Sequence, residues 1–503
     1  MDPNFETCLD LLRTADNDEN LLVALTMLPR LFVSQSQETV DFVYRAVPWK
    51  FIRRLLMTPG QMCEVGLQIW SAFVGVVNLE VERPELMKLI TPAATILETN
   101  EPMETKILVL QTIISLSACQ QGLKYTSSTS ALISFKNAFK EDTEKQILEL
   151  LLINLHSICD YDKSDKINVM LHFILPLAKL CAAKNDTIKF KAIDLAIKVL
   201  CFDVNVPGGM LFASCPFFET TLKQLISCKL DQAKRDSLII LCGLLYQRLG
   251  YSWIQVSARS ESPQISNGQL IALIVHLVCA EIRVILDQTE LHIVENTRIT
   301  NILPICYQTL QEIVKMLVHD AEITLTLDIT LLTSVRSALN ETFYSVLSFL
   351  VERLDLYTLE NDWSIIDNST TLLSLKSFSA WIAEEEQIQN EEMGRLIPLV
   401  VTLMDSKCAS TEINVWQFIT PLLIAFTSEP DLTQLFTDSD GHILVIQEYS
   451  SNYSCFDPAL KISLTSILLN LVNSKFADSP LAFSALGATL ITCCKIIFGN
   501  LIF

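Results

Sequence analysis

The stretch QLIALIVHLVCAEIRVIL, Gln269–Leu286, decides how this chain is read. Leu270, Leu273, Ile274, Leu277, Val284 and Ile285 recur at i, i+3, i+4, i+7 spacing, which places them on one stripe of an α-helix. Gln269, Glu281 and Arg283 lie off that stripe. Just upstream, Ser266 and Gln269 stand at capping-box spacing and predict a helix start. Asp186–Cys201 has the same design. Ile188, Ala192, Leu195, Ala196 and Val199 form its apolar side, Lys189, Lys191 and Lys198 are predicted to face away, and Asn185 offers an N-cap.

Working outward, a proline sits beside an apolar run again and again: Pro29, Pro92, Pro176, Pro304, Pro398 and Pro421. Proline is tolerated at the first helical position, where its missing N–H has no partner anyway. Each copy therefore predicts a fresh helix start. A coarse pass finds about twenty amphipathic segments. Short polar interruptions separate them, at Thr126–Ser130, Asp160–Asp165, Val204–Gly209, Glu360–Thr371 and Ser428–Gly441. The longest loop candidate is Gln255–Gly268, where Ser262-Pro263 has the form of a phosphosite or of an ordinary loop serine.

At 503 residues the chain exceeds one ordinary core of roughly 100–200 residues. No linker divides it. A stack of repeats resolves this, because each unit needs only its neighbours. Half of the residues are hydrophobic, the mean hydropathy is +0.37, and glycine is scarce at 13. The expected fold is all-α: an armadillo/HEAT-like superhelical solenoid of stacked helical repeats, continuous over residues 1–478. At about 40–47 residues per unit, it would hold eleven or twelve repeats.

A formal charge of −20 repels phosphate backbones and argues against nucleic acid as the main partner. It keeps a hydrophobic solenoid soluble, or it attracts basic segments. The 15 cysteines form no framework spacing, and no basic-then-apolar leader precedes them, so a reducing cytosol is expected. Cys119, Cys159, Cys181, Cys201, Cys242, Cys279 and Cys306 fall in apolar helical runs, where a thiol acts as a small buried hydrophobe. Sequons at Asn185, Asn340, Asn368 and Asn452 are then chance matches.

The search for chemistry returns little. No Walker loop, dinucleotide fingerprint, HExxH, CxxC or GxSxG occurs, and the six histidines are isolated. No catalytic, cofactor-binding or metal-binding residue is assigned, and no cofactor is expected. An enzyme with an unrecognised Cys/His site is the reading from another class. Trp381–Glu392 is acidic: it is either a site for a basic peptide or a helix end and solvated turn before a helix at Pro398, and the second reading is the simpler. No tryptophan is followed four positions later by asparagine, as import adaptors require.

Four segments carry a resemblance. They are the Phe5–Leu28 run, with Leu11-Leu12-Arg13 and Asn17-Asp18; Trp253-Ile254, a variable loop, and the Leu270–Val284 helix with its Cys279-x-Glu281-x-Arg283 core; Ala380–Glu385 followed by Leu396-Ile397-Pro398; and Leu468–Val472. In this order they resemble the neurochondrin family, cytoplasmic armadillo-like proteins best known from neurons. The resemblance implies a non-enzymatic adaptor or modulator of signalling. It implies roles in neurite outgrowth, binding of receptor cytoplasmic tails and restraint of calcium/calmodulin-dependent kinase II, in the cytoplasm and in neuronal projections. A generic α-solenoid scaffold in trafficking or complex assembly is the alternative. One departure is that no cysteine pair near Met1 offers an acylation site. Trp253 is expected to pack at a helix end, with Glu281 and Arg283 paired to neighbouring loops.

Residues 479–503 are expected to form an apolar C-terminal helix, the uncapped end of the array. From Leu481 to Phe503, Lys495 is the sole charge, and it interrupts a run too short for the ~20 residues of a membrane span. No firm membrane insertion is expected. An apolar patch around Phe483, Leu486, Leu490, Ile497 and Phe498 would instead drive self-association.

Overall fold

The backbone N–H of Ser266 donates to Oε1 of Gln269 at 2.9 Å, and the N–H of Gln269 donates to Oγ of Ser266 at 3.1 Å. This reciprocal capping box opens the helix Asn267–Glu290 where its spacing predicts. The computed structural model describes residues 3–14, 17–31, 36–139, 143–161, 170–183, 186–202, 208–250, 253–254, 265–290, 296–319, 327–385, 390–405, 415–452 and 456–474. Asn185, the Ser262-Pro263 motif and the apolar segment 479–503 lie outside them. All regular elements among the described residues are helices, and the fold is an armadillo/HEAT-like helical-repeat solenoid. The helices cluster into two compact units, one over Met1–Leu244 and Ser252–Ser262, the other over Leu245–Tyr251 and Pro263–Phe503.

In the first unit five helices form one layer, each packed on the next. They are α1 (Asp18–Leu31), α2 (Gln61–Val76), α3 (Met103–Leu116), α4 (Lys145–Tyr161) and α5 (Asp186–Leu200). They begin at 18, 61, 103, 145 and 186, a step of about 42 residues that falls within the expected repeat length. A second layer is built from shorter helices, among them Trp49–Leu56, Ile90–Thr95 and Thr129–Ala138, stacked in turn. Hydrogen bonds between repeats keep the same step. Arg83 reaches back 42 residues to Asp41, Asn137 reaches back 39 to Glu98, Lys198 reaches back 38 to Asp160, and Ser237 reaches back 43 to Asp194.

The second unit departs from this step. One layer runs through α6 (Asn267–Glu290), α7 (Leu303–His319), α9 (Ser369–Ile382), α11 (Trp416–Ser428) and α12 (Pro458–Asn473). Against it lie α8 (Ile329–Glu360) and α10 (Asn390–Met404). The 32-residue α8 is longer than its neighbours, so bonds to it and past it span more sequence. Arg283 to Glu341 spans 58 residues and Tyr307 to Ser374 spans 67. Local signals fix its ends: the Asp328 carboxylate accepts from Leu331 N–H at 2.8 Å, and Asn361 turns left-handed at φ 52°. Asn368, a sequon residue, caps α9 by accepting from Thr371 N–H at 2.9 Å.

Several expectations are corrected. Pro92, Pro176 and Pro304 do fall in first turns, but Pro29 falls near the end of α1, and Pro398 and Pro421 lie inside α10 and α11. α10 starts eight residues before Pro398, with Glu391 and Glu392 in its first turn, where the helix dipole favours acid. Among the described residues, the prolines at first positions are Pro3, Pro84, Pro430 and Pro458. The interruption read at Ser428–Gly441 contains the helix Pro430–Asp438. On α6, Val284 is 40% exposed while Glu281 is buried. α6 packs against both α7 and α8, so its buried face is wider than one stripe and takes in Ile271, Val275, Val278 and Ile282. On α5, Lys189 is 3% exposed rather than outward, and its Nζ donates to Oε1 of Gln224 at 2.7 Å.

Burial accounts for most of the thiols. It pushes Cys159, Cys215 and Cys242 up to about 12 and Cys279 up to about 11. Cys201 is exposed and Cys119 half-buried, against expectation. Cys119 caps the helix Gln120–Thr126, its sulfur accepting from Gly122 N–H at 3.3 Å.

Candidate functional site: a groove in the second unit

The α9 sequence places Lys376, Ala380 and Glu384 at i, i+4 and i+8, with Ser377 and Trp381 beside them, on one side of the helix and its end. Apolar residues of α7, α8 and α11 face this stripe. The result is two adjoining cavities. The first, about 360 Å³, is lined by Leu310, Val314, Phe343, Ala380, Phe418 and Pro421, among others. The second, about 380 Å³, is lined by Val314, Leu317, Val318, Leu332, Val335 and Leu339. Trp381, Val314 and Glu384 line both and form their common wall.

Trp381 is fixed. Its ring stacks on Phe343 with centroids 5.0 Å apart and planes 7° apart, and Phe378 packs on Phe343 at 6.4 Å. Beneath the groove, the hydroxyls of Tyr307 and Ser374 share a hydrogen bond at 3.0 Å, and burial holds the Tyr307 phenol well above its ordinary range. Helical hydroxyls nearby return to the carbonyl four residues back, as Thr309 does to Ile305 and Thr342 to Ala338. Ser377 does not: its Oγ is buried and has no partner among the described residues.

The rim charges divide into committed and available. Glu385 accepts from Nη2 of Arg336 at 2.8 Å and from its Nε at 3.2 Å, which holds the Arg336 guanidinium above its ordinary range. Lys315 pairs with Glu312 at 2.9 Å. The side chains of Glu384 and Lys376 are exposed and make no ion pair among the described residues. The acidic segment Trp381–Glu392 thus splits. Trp381 and Glu385 are structural, Glu384 faces the groove, and 386–389 lie outside the described residues.

Glu281 and Arg283 are paired, but with helices rather than loops. Glu281 accepts from Nη2 of Arg298, on the short helix Asn296–Asn301, and Arg283 donates to Glu341 of α8 at 2.9 Å. Trp253 is fully buried in the first unit. Among the described residues, no group of three or more His, Cys, Asp or Glu could hold a metal ion. The Asn267–Thr289 stretch is long and apolar enough to cross a membrane, but α7 and α8 cover it here. The apolar cavities have no local signal in the sequence. The acidic run Trp381–Glu392, one reading of which is a site for a basic peptide, supplies Trp381 and Glu384, and the Lys376–Ala380–Glu384 spacing has meaning only once α7, α8 and α11 are known to face it.

Comparison with known proteins agrees with this architecture. A family model described as neurochondrin matches residues 1–502. Neurochondrin of Gallus gallus is 22% identical over 416 residues, covering 78% of this chain and 56% of that protein. Neurochondrin of Xenopus laevis is 22% identical over 426 residues, covering 79% of this chain and 55% of that protein. The chain spans about half the length of these curated relatives. The crystal structure of an engineered protein superposes with a TM-score of 0.50 at 13% identity, covering 93% of this chain and 99% of that one, a likeness of fold alone. With the family model matched over nearly every residue and the repeat architecture in place, the chain belongs to the neurochondrin family.

Proposed function

We propose that this chain is a non-enzymatic, neurochondrin-like adaptor or modulator of cytoplasmic signalling, and that the groove of the second unit holds a protein partner. The observation that carries the reading is the groove: two apolar cavities around a locked tryptophan, with exposed charge at the rim. An apolar concavity with a few placed polar groups is the form that binding sites take, which supports this reading. The finer part of the proposal is receptor cytoplasmic tails and calcium/calmodulin-dependent kinase II as partners, with neurite outgrowth and neuronal projections as the setting; membership of the neurochondrin family supports it.

Affinity capture from neural tissue followed by mass spectrometry tests it, with the Glu384→Lys variant as control. Recovery of the kinase or of receptor tails by the wild type is the expected result. Recovery of trafficking or assembly factors alone would favour a generic scaffold, and a substrate turned over by the purified chain would overturn the adaptor reading.

A further inference from the structure

The groove has a polarity that narrows its occupant. Lys376 on α9 and Glu384 in the turn just past its end are eight residues apart in sequence. Between them Ala380 leaves a dip, and Trp381 divides the apolar surface into two cavities. A partner that fills both must present two apolar side chains on the same side, one on each flank of Trp381. It must also present a cation to Glu384, which lines both cavities and has its carboxylate uncommitted. Lys376, at the other end, asks for a carboxylate.

The walls of the groove are helices, and no strand edge is present among the described residues to add a strand to. An extended peptide would therefore find no strand to pair with and would depend for its main-chain groups on side chains such as Gln311 and Gln417. A helix satisfies its own backbone and carries apolar residues on successive turns of one face. The overall charge of −20 draws basic segments toward the surface, although it does not choose among them.

We infer that the groove is a docking site for an amphipathic helix of a partner protein. Two apolar anchors on successive turns straddle Trp381, and a basic residue beside them pairs with Glu384. This rests on the protein-binding reading above and adds the conformation and chemistry of the ligand.

A displayed library of helical peptides of roughly four turns, selected against the full chain, tests it. Enriched peptides are expected to carry two apolar residues at i, i+3 or i, i+4 spacing and a Lys or Arg on the same face. Their binding, read by fluorescence anisotropy, is expected to weaken about tenfold in Glu384→Lys, and to recover when the peptide cation is changed to Glu. Ala380→Arg, which fills the dip, is expected to abolish it. Thermal melts of both variants verify folding, and Glu384→Lys, on an exposed side chain, keeps the test open should Ala380→Arg unfold.

Equal affinity for wild type and both folded variants would overturn the site. Tighter binding of the same peptides after proline is placed in their centre would overturn the helix. A library that yields no binder, while the chain still captures proteins from tissue, would overturn this inference and leave the adaptor reading standing.

Discussion

Arg298 donates to Glu281 at 2.7 Å with both side chains less than a tenth exposed, which ties the short helix Asn296–Asn301 to the long apolar α6. Removing one partner leaves the other charge buried. Arg298→Met is therefore expected to destabilise the second unit by about 3–5 kcal/mol, whereas the double change Arg298→Met with Glu281→Met should restore most of the loss. Urea unfolding followed by circular dichroism measures both.

Gly122 is fixed by close approach. A Cβ there would lie 1.8 Å from the Leu116 carbonyl oxygen at the end of α3. That atom is backbone and cannot swing away. Gly122→Ala is expected to cost about 1–3 kcal/mol through overpacking, seen as a lower urea midpoint.

Trp253 is among the largest fully buried side chains. Trp253→Ala is expected to destabilise the first unit by roughly 3–5 kcal/mol, the loss of an aromatic and the cavity it leaves. Unchanged thermal stability would be incompatible with that burial.

Stability should fall in mild acid. Burial holds the imidazoles of His156 and His442 below their ordinary value of 6.5. In the unfolded chain they take up protons at that value, while in the folded chain they do so only at lower pH. The unfolded state thus binds more protons just below pH 6.5, and stability declines as pH falls from 6.5 toward the folded values. His156→Gln and His442→Gln should each reduce the difference in urea midpoint between about pH 7.5 and about pH 5.5.

Thiol chemistry should sort by position. Cys201 and Cys228 are exposed, while Cys159, Cys215 and Cys242 are buried and pushed up to about 12. Brief alkylation of the native chain, mapped by peptide mass spectrometry, is expected to label the first two well ahead of the other three. In urea the difference should vanish.

What could be read in advance divides along a physical line. Ser266 and Gln269 announced a helix start because a capping box is a contact over three residues, complete within the local chain. A unit of about 40–47 residues follows from the repeat class, because each repeat buries its apolar face against its neighbours, whereas the step of about 42 emerges only from the helix starts in the structure. Lys189 and Glu281 were misplaced because both are charged, and only the facing helices supply Gln224 and Arg298 to receive them. Pro398 and Pro421 misled for a related reason. Proline lacks an N–H, so only the carbonyl four residues back loses its donor, and a helix held by packing on both sides tolerates that loss inside. Glu384 and Glu385 are adjacent and identical in sequence and both line the groove, yet Glu385 is tied to Arg336 and Glu384 makes no ion pair among the described residues. No local pattern separates them.

The regular reach of the bonds between repeats in the first unit, from 35 residues for Lys189 to 44 for Asn154, has a mechanical meaning. No residue in those bonds waits for a distant part of the chain. During synthesis, each repeat can close as soon as the next helix pair has left the ribosome. Pulled from its ends, this unit should yield one repeat at a time, with successive force peaks separated by the contour of about 42 residues rather than one cooperative rupture.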